Sequence, residues 1–324
     1  MVRGGLSRLM SNHSLEAVNL SKKYGSFTAL DNLNLSIEGS KCVGFLGPNG
    51  AGKTTTLKIF TDLILRTSGK ALINGIDVHE HKKKALATTA TLIETPEIYP
   101  SLTPNEALMM IAEQRGVPPD LRKKKIDEAL QEVHMQEWAD KRVGKFSKGM
   151  KQRIDVASTL LNDPEIILLD EPTTGLDPRG MAEVRDIVKN LKKQKRLIFM
   201  SSHLLPEVMD ICDEVAMIDH GKLLVYDKIQ NLTGRFSQGI GVVEIGFVGL
   251  IGDDGIIKAV QSVQGITSVE KMDARNLRIR FTGGPEVQAK ILTDLALLNI
   301  GMNSFRASSS ALEDVYLNLI KETL

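Results

Sequence analysis

From Leu15 to Ile218, short apolar runs alternate with longer segments whose apolar residues recur every three to four positions. Leu15 to Leu20 alternates as a half-buried strand does, and Asn34 to Glu38 reads as another. Cys42 to Leu46 is continuously apolar, and a helical segment from Thr55 to Leu63 follows. A strand over Lys70 to Ile73 meets the turn pair Asn74 and Gly75, and a further strand ends near Glu94. Pro104 to Gly144 is a helical block. Pro104 opens its first helix, where a missing N–H costs nothing, and Pro118 and Pro119 punctuate before a second from Asp120 to His134. Within it, Leu108, Ile111, Leu130 and Trp138 are expected core.

A helix over Ser147 to Leu161 comes next, then Ile166 to Leu169, whose wholly apolar run suits a parallel sheet covered on both faces. Helix Arg179 to Lys193, strand Arg196 to Ser201, helix Leu204 to Cys212 and strand Glu214 to Ile218 complete an α/β pattern. Glycine, serine and polar residues gather over Leu232 to Gly241 and mark a boundary. Beyond it the expected order is strand (Val242 to Phe247), helix (Gly255 to Val263), strand (Thr267 to Met272), strand (Leu277 to Phe281), helix (Pro285 to Leu298) and strand (Met302 to Phe305). That βαββαβ order suggests a small ferredoxin-like domain. Ser310 and Glu313 then form a capping-box pattern opening a last helix through Leu319.

Charge excludes some partners. The 324 residues hold 41 Lys and Arg against 40 Asp and Glu, so no overall field draws the chain to nucleic acid or an anionic membrane. Basic clusters at Lys82 to Lys84, Lys123 to Lys125 and Lys192 to Arg196 sit among polar residues and read as solvated helix faces. The two cysteines, Cys42 and Cys212, are far apart in apolar surroundings, so neither a disulfide framework nor a zinc site is expected. His79 and His81 offer two imidazoles with no further ligand nearby and read as an exposed helix start. No run is apolar enough to cross a bilayer. Residues 1–14 carry Arg3 and Arg8 without an apolar core, and read as a flexible tail rather than a signal peptide.

The chemistry concentrates in three places. Gly47, Pro48, Asn49, Gly50, Ala51, Gly52, Lys53 and Thr54 form a complete phosphate-binding loop between an apolar strand and a helix. Its glycines let several backbone N–H groups face one anion, Lys53 supplies a point charge, and the Thr54 hydroxyl is placed to ligate Mg²⁺. Asp170 and Glu171 end the apolar strand from Ile166. There Asp170 can hold Mg²⁺ through water, which frees Glu171 to polarise the attacking water. Ser147 and Gly149, at a helix start, make a second anion-binding terminus. Two phosphate sites with one such loop suggest that the second serves a nucleotide on another copy.

In this order the motifs resemble the nucleotide-binding subunits of ATP-binding cassette (ABC) transporters, over roughly residues 15–230. The resemblance implies a P-loop NTPase cassette over 15–232, with a helical subdomain at about 104–160, and an α+β accessory domain over 241–324. Tyr24 is similar to the aromatic that stacks on adenine, and Gly47 to Thr55 matches Walker A. Phe146 to Arg153, with Ser147, Lys148 and Gly149, resembles the signature that closes on the partner's nucleotide; Ile166 to Glu171 matches Walker B. Thr174 to Pro178 resembles the loop that touches the partner subunit through Asp177, and His203 the switch histidine at the γ-phosphate.

Two positions depart from the family. Glu94 stands where glutamine is usual; a carboxylate can still join the metal shell with Thr54 and Asp170, but cannot donate an amide hydrogen bond. Lys148 and Met150 replace glycine and glutamine of the common signature. The signature form and the segment Leu312 to Leu317 resemble the type-2 exporter branch, including bacitracin- and lantibiotic-export ATPases.

The resemblance therefore implies an ATP- and Mg²⁺-dependent ATPase with Glu171 and His203 as catalytic residues. It would work as a dimer, a homodimer or a pair of this chain with a related subunit, on the cytoplasmic face of the membrane, beside a separate transmembrane permease. A soluble non-transport ABC ATPase is the first alternative; it is disfavoured by the single cassette and the absence of a basic excess. A regulatory nucleotide-binding module is the second, and the intact Asp170–Glu171 pair argues against it.

Overall fold

The computed structural model describes residues 13–94, 98–236, 240–252 and 254–307. The chain divides after Asp227 into two compact units, somewhat ahead of the compositional boundary at 232–241. The helix expected from Ser310 and most of the expected N-terminal tail fall outside the described residues.

The first unit opens with β1 (Ser14–Tyr24), β2 (Phe27–Glu38) and β3 (Cys42–Leu46), followed by α1 (Lys53–Phe60), β4 (Ser68–Ile73), β5 (Ile76–Asp77), α2 (Lys82–Ala85) and β6 (Thr89–Leu92). The helical block consists of α3 (Pro104–Gln114), α4 (Pro119–Glu132) and two short 3-10 segments, Gln136–Trp138 and Val143–Lys145. Then come α5 (Lys148–Leu160), β7 (Ile166–Asp170), α6 (Pro178–Lys193), β8 (Leu197–Ser202), α7 (Leu205–Ile211), β9 (Glu214–Asp219) and β10 (Lys222–Lys228).

Two sheets result. One runs in the order β2-β1-β4-β5, the other in the order β10-β9-β3-β8-β7-β6. In the second sheet β6, β7, β8, β3 and β9 pair in parallel. All of β3 and β8, and the apolar stretch of β7, are buried, which is why these strands read as unbroken apolar runs rather than alternating ones. Parallel pairing also gathers strand exits along one edge, where ligands of open α/β sheets bind. Here the register sets Leu46 opposite Ser202 and Asp170 opposite Ser201. The phosphate loop, the paired carboxylates and His203 therefore leave the sheet side by side.

Several expected elements are longer or additional. β1 extends to Tyr24 and β2 starts at Phe27, because register shifts after Ala17 and Leu20, with Asn19 at φ 48°, break the alternation that marks a strand. β10 was not expected. It follows β9 through His220 and Gly221, both at positive φ, a hairpin turn whose usual asparagine or aspartate signal is absent. Leu108 and Leu130 are core as expected, but Trp138 is 38% exposed, set edge-on to Phe146 and beneath the Lys141 ammonium.

The second unit comprises α8 (Ile229–Phe236), β11 (Ile240–Phe247), α9 (Asp254–Gln261), β12 (Ile266–Lys271), β13 (Asn276–Thr282), α10 (Pro285–Leu297) and β14 (Met302–Ala307). The sheet order is β12-β13-β11-β14 with every pair antiparallel, the ferredoxin-like split βαβ arrangement. Its core takes alternate residues of the two central strands, Val243, Ile245 and Phe247 with Leu277, Ile279 and Phe281, packed with Val260, Ile291 and Leu295 from the helices.

Candidate active site

Gly52 caps α1 at φ 106°, and a Cβ there would lie 2.7 Å from the Ala29 carbonyl; only glycine allows this turn and this approach. Past it, Lys53 starts the helix with its side chain folded back into the loop. Its ammonium donates to the Gly47 and Pro48 carbonyls at 2.8 and 3.0 Å and lies 3.5 Å from Glu171. The group is 4% exposed, so a buried cation is held by three oxygens that phosphate oxygens can replace.

A cleft of about 210 Å³ runs from this loop to Tyr24. Asn49, Gly50, Lys53, Thr54, Thr55 and Glu171 line its polar end, and Tyr24, Phe27 and Ala29 its apolar end. Tyr24 and Phe27 face each other across a two-residue turn, and the Lys22 ammonium sits 4.6 Å from the Tyr24 ring centre. Two exposed aromatics beside a phosphate loop offer a platform for a planar base. Sequence reasoning found Tyr24 and missed Phe27, whose strand begins earlier than its alternation shows.

Glu171 is the hub of the polar end. It stands at φ 43° just past β7, its N–H donating to Ser201 Oγ at 2.9 Å. The Thr174 hydroxyl donates to Glu171 Oε2 at 2.8 Å, and His203 Nδ1 lies 3.1 Å from that same oxygen. Burial alone would raise the Glu171 pKa, but the Thr174 hydroxyl, the His203 ring and the Lys53 ammonium outweigh it and hold it below the usual carboxylate value. The carboxylate is thus ionised and able to take a proton. The Ser201 hydroxyl also donates to Asp170 Oδ1, fixing the two neighbouring acids in different orientations. Ser201 and the Thr174 hydroxyl were not singled out in the sequence; Ser201 is the next-to-last residue of β8, and Thr174 lies in the turn that follows β7.

The other expected residues lie elsewhere. Glu94 sits at φ 56° beyond β6, is 72% exposed on its side chain, and pairs with Lys58 of α1 rather than lining the cleft. Ser147 caps α5 by accepting from Met150 N–H at 3.2 Å, and the Lys148 ammonium donates to the Thr174 carbonyl at 3.2 Å. Ser147, Lys148 and Gly149 are not among the residues lining the cleft of their own chain. Asp177 caps α6 through Gly180 N–H at 3.1 Å. His79 Nδ1 lies 3.1 Å from Asp62, and among the described residues no group of three or more His, Cys, Asp or Glu could hold a metal. The cysteines, remote in sequence, meet in the core with their sulfurs 3.5 Å apart, both as free thiols.

Comparison with known proteins identifies the family. The family model described as ABC transporter matches residues 30–174. The bacitracin transport ATP-binding protein BcrA of Bacillus licheniformis is 43% identical over 211 residues, 65% of this chain and 68% of BcrA. The lantibiotic transport ATP-binding protein SrtF of Streptococcus pyogenes is 36% identical over 229 residues, 70% of this chain and 97% of SrtF. A solved structure of the ATP binding subunit of an ABC transporter superimposes with a TM-score of 0.61 at 26% identity, over 69% of this chain and 93% of that one. From the second strand to the turn beyond the paired carboxylates, sequence and architecture point the same way: the chain belongs to the ABC transporter family.

Proposed function

We propose that this protein is the ATP-hydrolysing subunit of an exporter whose bilayer-spanning permease is a separate chain. The convergence of Lys53, Thr174 and His203 on the Glu171 carboxylate, at the end of a phosphate-loop cleft, carries the reading. Similarity to BcrA and SrtF, named for bacitracin and lantibiotic transport, supports export of an antimicrobial peptide-like cargo. No described helix is long and apolar enough to cross a membrane. The resemblance to transporter ATP-binding subunits supports a position at the cytoplasmic face beside the permease. Tyr99, Met110 and Leu121, exposed on the loop before α3 and on the helical block, suit contact with the permease.

In this reading residues 15–232 bind and hydrolyse ATP, and 241–324 form an accessory domain. Lys53 and the loop N–H groups hold the β- and γ-phosphates, while Tyr24 and Phe27 take the adenine. The hydroxyl of Thr54 and the carboxylate of Asp170 are hard oxygen donors of the kind Mg²⁺ takes alongside phosphate oxygens, and neither is committed to an ion pair. When bound, the ion neutralises charge on the phosphoryl group being transferred. Glu171 accepts the proton of the attacking water as the bond from the γ-phosphorus to the bridging oxygen breaks and ADP leaves. His203, already beside Glu171, orients that water and the γ-phosphate. Glu94 joins the metal shell only by leaving Lys58.

Two copies packed head to tail would let Ser147, Lys148 and Gly149 of each close the nucleotide of the other, with Asp177 at the seam. Separation of the signature from its own chain's cleft supports this arrangement. Sedimentation of Glu171→Gln with and without MgATP, with capture of the membrane partner, tests the whole scheme. A dimer only with MgATP, recovered together with a polytopic protein, is the expected result; monomers throughout and no membrane companion would remove it.

A further inference from the structure

We propose that Glu207 is a positioning residue for hydrolysis, one that holds Glu171 and His203 in mutual register from below. The inference rests on the roles assigned above to those two residues. Glu207 is 3% exposed in the first turn of α7. A carboxylate so deep needs its lone pairs taken up. The Thr173 hydroxyl donates to one of its oxygens and the Ser202 hydroxyl to the other, the latter at 2.6 Å. Both hydroxyl residues are themselves buried.

The positions of those two donors give the arrangement its meaning. Thr173 directly precedes Thr174, whose hydroxyl donates to Glu171 Oε2, and Ser202 directly precedes His203, whose Nδ1 faces the same oxygen. One buried carboxylate thus grips the two chain segments that bring partners to the other. Ser202 Oγ also accepts from Leu204 N–H at 3.0 Å, which fixes the turn out of β8. The helix carrying Glu207 is anchored in turn: Val208 lies against Gly44 of β3, so close that a Cβ on Gly44 would sit 2.5 Å from Val208 Cγ1. Glu207 therefore ties the exits of β7 and β8 to the strand that feeds the phosphate loop. An apolar side chain could fill the space, but it would leave two buried hydroxyls without their acceptor.

Turnover and equilibrium nucleotide binding of the full chain, with Glu207→Ala, Glu207→Gln, Ser202→Ala and Thr173→Val, test this. Misplacing a reacting group by about 1 Å can cost on the order of 10²-fold, so Glu207→Ala should lose roughly 10- to 10²-fold in kcat with ATP affinity within about twofold. Ser202→Ala and Thr173→Val should each lose less. Glu207→Gln should recover most of the rate, because its amide accepts one hydrogen bond and donates the other. In a His203→Ala background Glu207→Ala should add little, since it acts through the same pair. A loss that multiplies fully in the double variant, or that comes with an equal loss of ATP affinity, would reduce Glu207 to a packing residue and overturn the proposal. If Glu207→Ala does not fold, wild-type kcat in both Ser202→Ala and Thr173→Val overturns it instead. Wild-type turnover in Glu171→Gln or His203→Ala would mark a different failure, that of the parent assignment.

Discussion

Glu171 combines two properties that oppose each other, partial burial and ionisation, and it does so by collecting a hydroxyl, an imidazole and an ammonium. Glu171→Gln keeps the shape but cannot accept a proton, so ATP binding should persist while turnover falls roughly 10²-fold or more. Binding titration beside a phosphate-release assay reads both. Lys53→Ala should weaken nucleotide binding itself, since the buried ammonium is the loop's own charge. Asp155, inside α5, shows the opposite case. Burial pushes its carboxyl up to about 7, with Lys151 only partly offsetting this. The folded pKa is the higher one, so protonation favours the folded state at low pH, and this advantage disappears as pH rises from the unfolded value towards about 7. Asp155→Asn should therefore gain roughly 2–4 kcal/mol at pH 8 and almost nothing at pH 4, in denaturant melts at the two pH values.

The short helix α7 and strand β3 meet through a glycine that the apolar pattern of β3 leaves unexplained. Gly44 reads as one more small residue in a buried run, yet it makes room for Val208 and, beyond it, Cys212. Gly44→Ala forces a β-branched side chain of α7 to move, and overpacking of this kind costs about 1–3 kcal/mol. Melting should show that loss, and because α7 carries Glu207, kcat should fall as well. Elements with one clear period were legible: β7, β8, α5 and α6 fall within a residue or two of their expected bounds. Those shaped by turns were not. The bulges of β1 and the His220–Gly221 hairpin before β10 interrupt the period that would announce them.

On the proposed reading, ATP-driven pairing of two copies is the behaviour expected of the complete assembly. Lys148 is exposed, at the start of α5, and its ammonium reaches the Thr174 carbonyl of its own chain. Lys148→Glu would set a carboxylate against the partner's phosphates while leaving the chain's own cleft intact. In a Glu171→Gln background it should abolish the MgATP-dependent dimer in sedimentation, with nucleotide affinity of the monomer unchanged.

Local chemistry needs only neighbours along the chain, and the sequence accordingly determined the phosphate loop, the acid pair, the capped start of α5 and the order of the principal strands and helices, though not β5, α2, β10 or α8. These rest on backbone freedom, charge and periodicity, which act over a few residues. The pairing of distant strands decided the rest. Parallel register set Ser201 beside Asp170 and brought His203 to Glu171; helix packing against the sheet seated Cys42 against Cys212 at the end of α7, and Lys58 of α1 took Glu94. Hydrogen bonds between residues some 30 positions apart are created by packing, and no spacing along the chain encodes them.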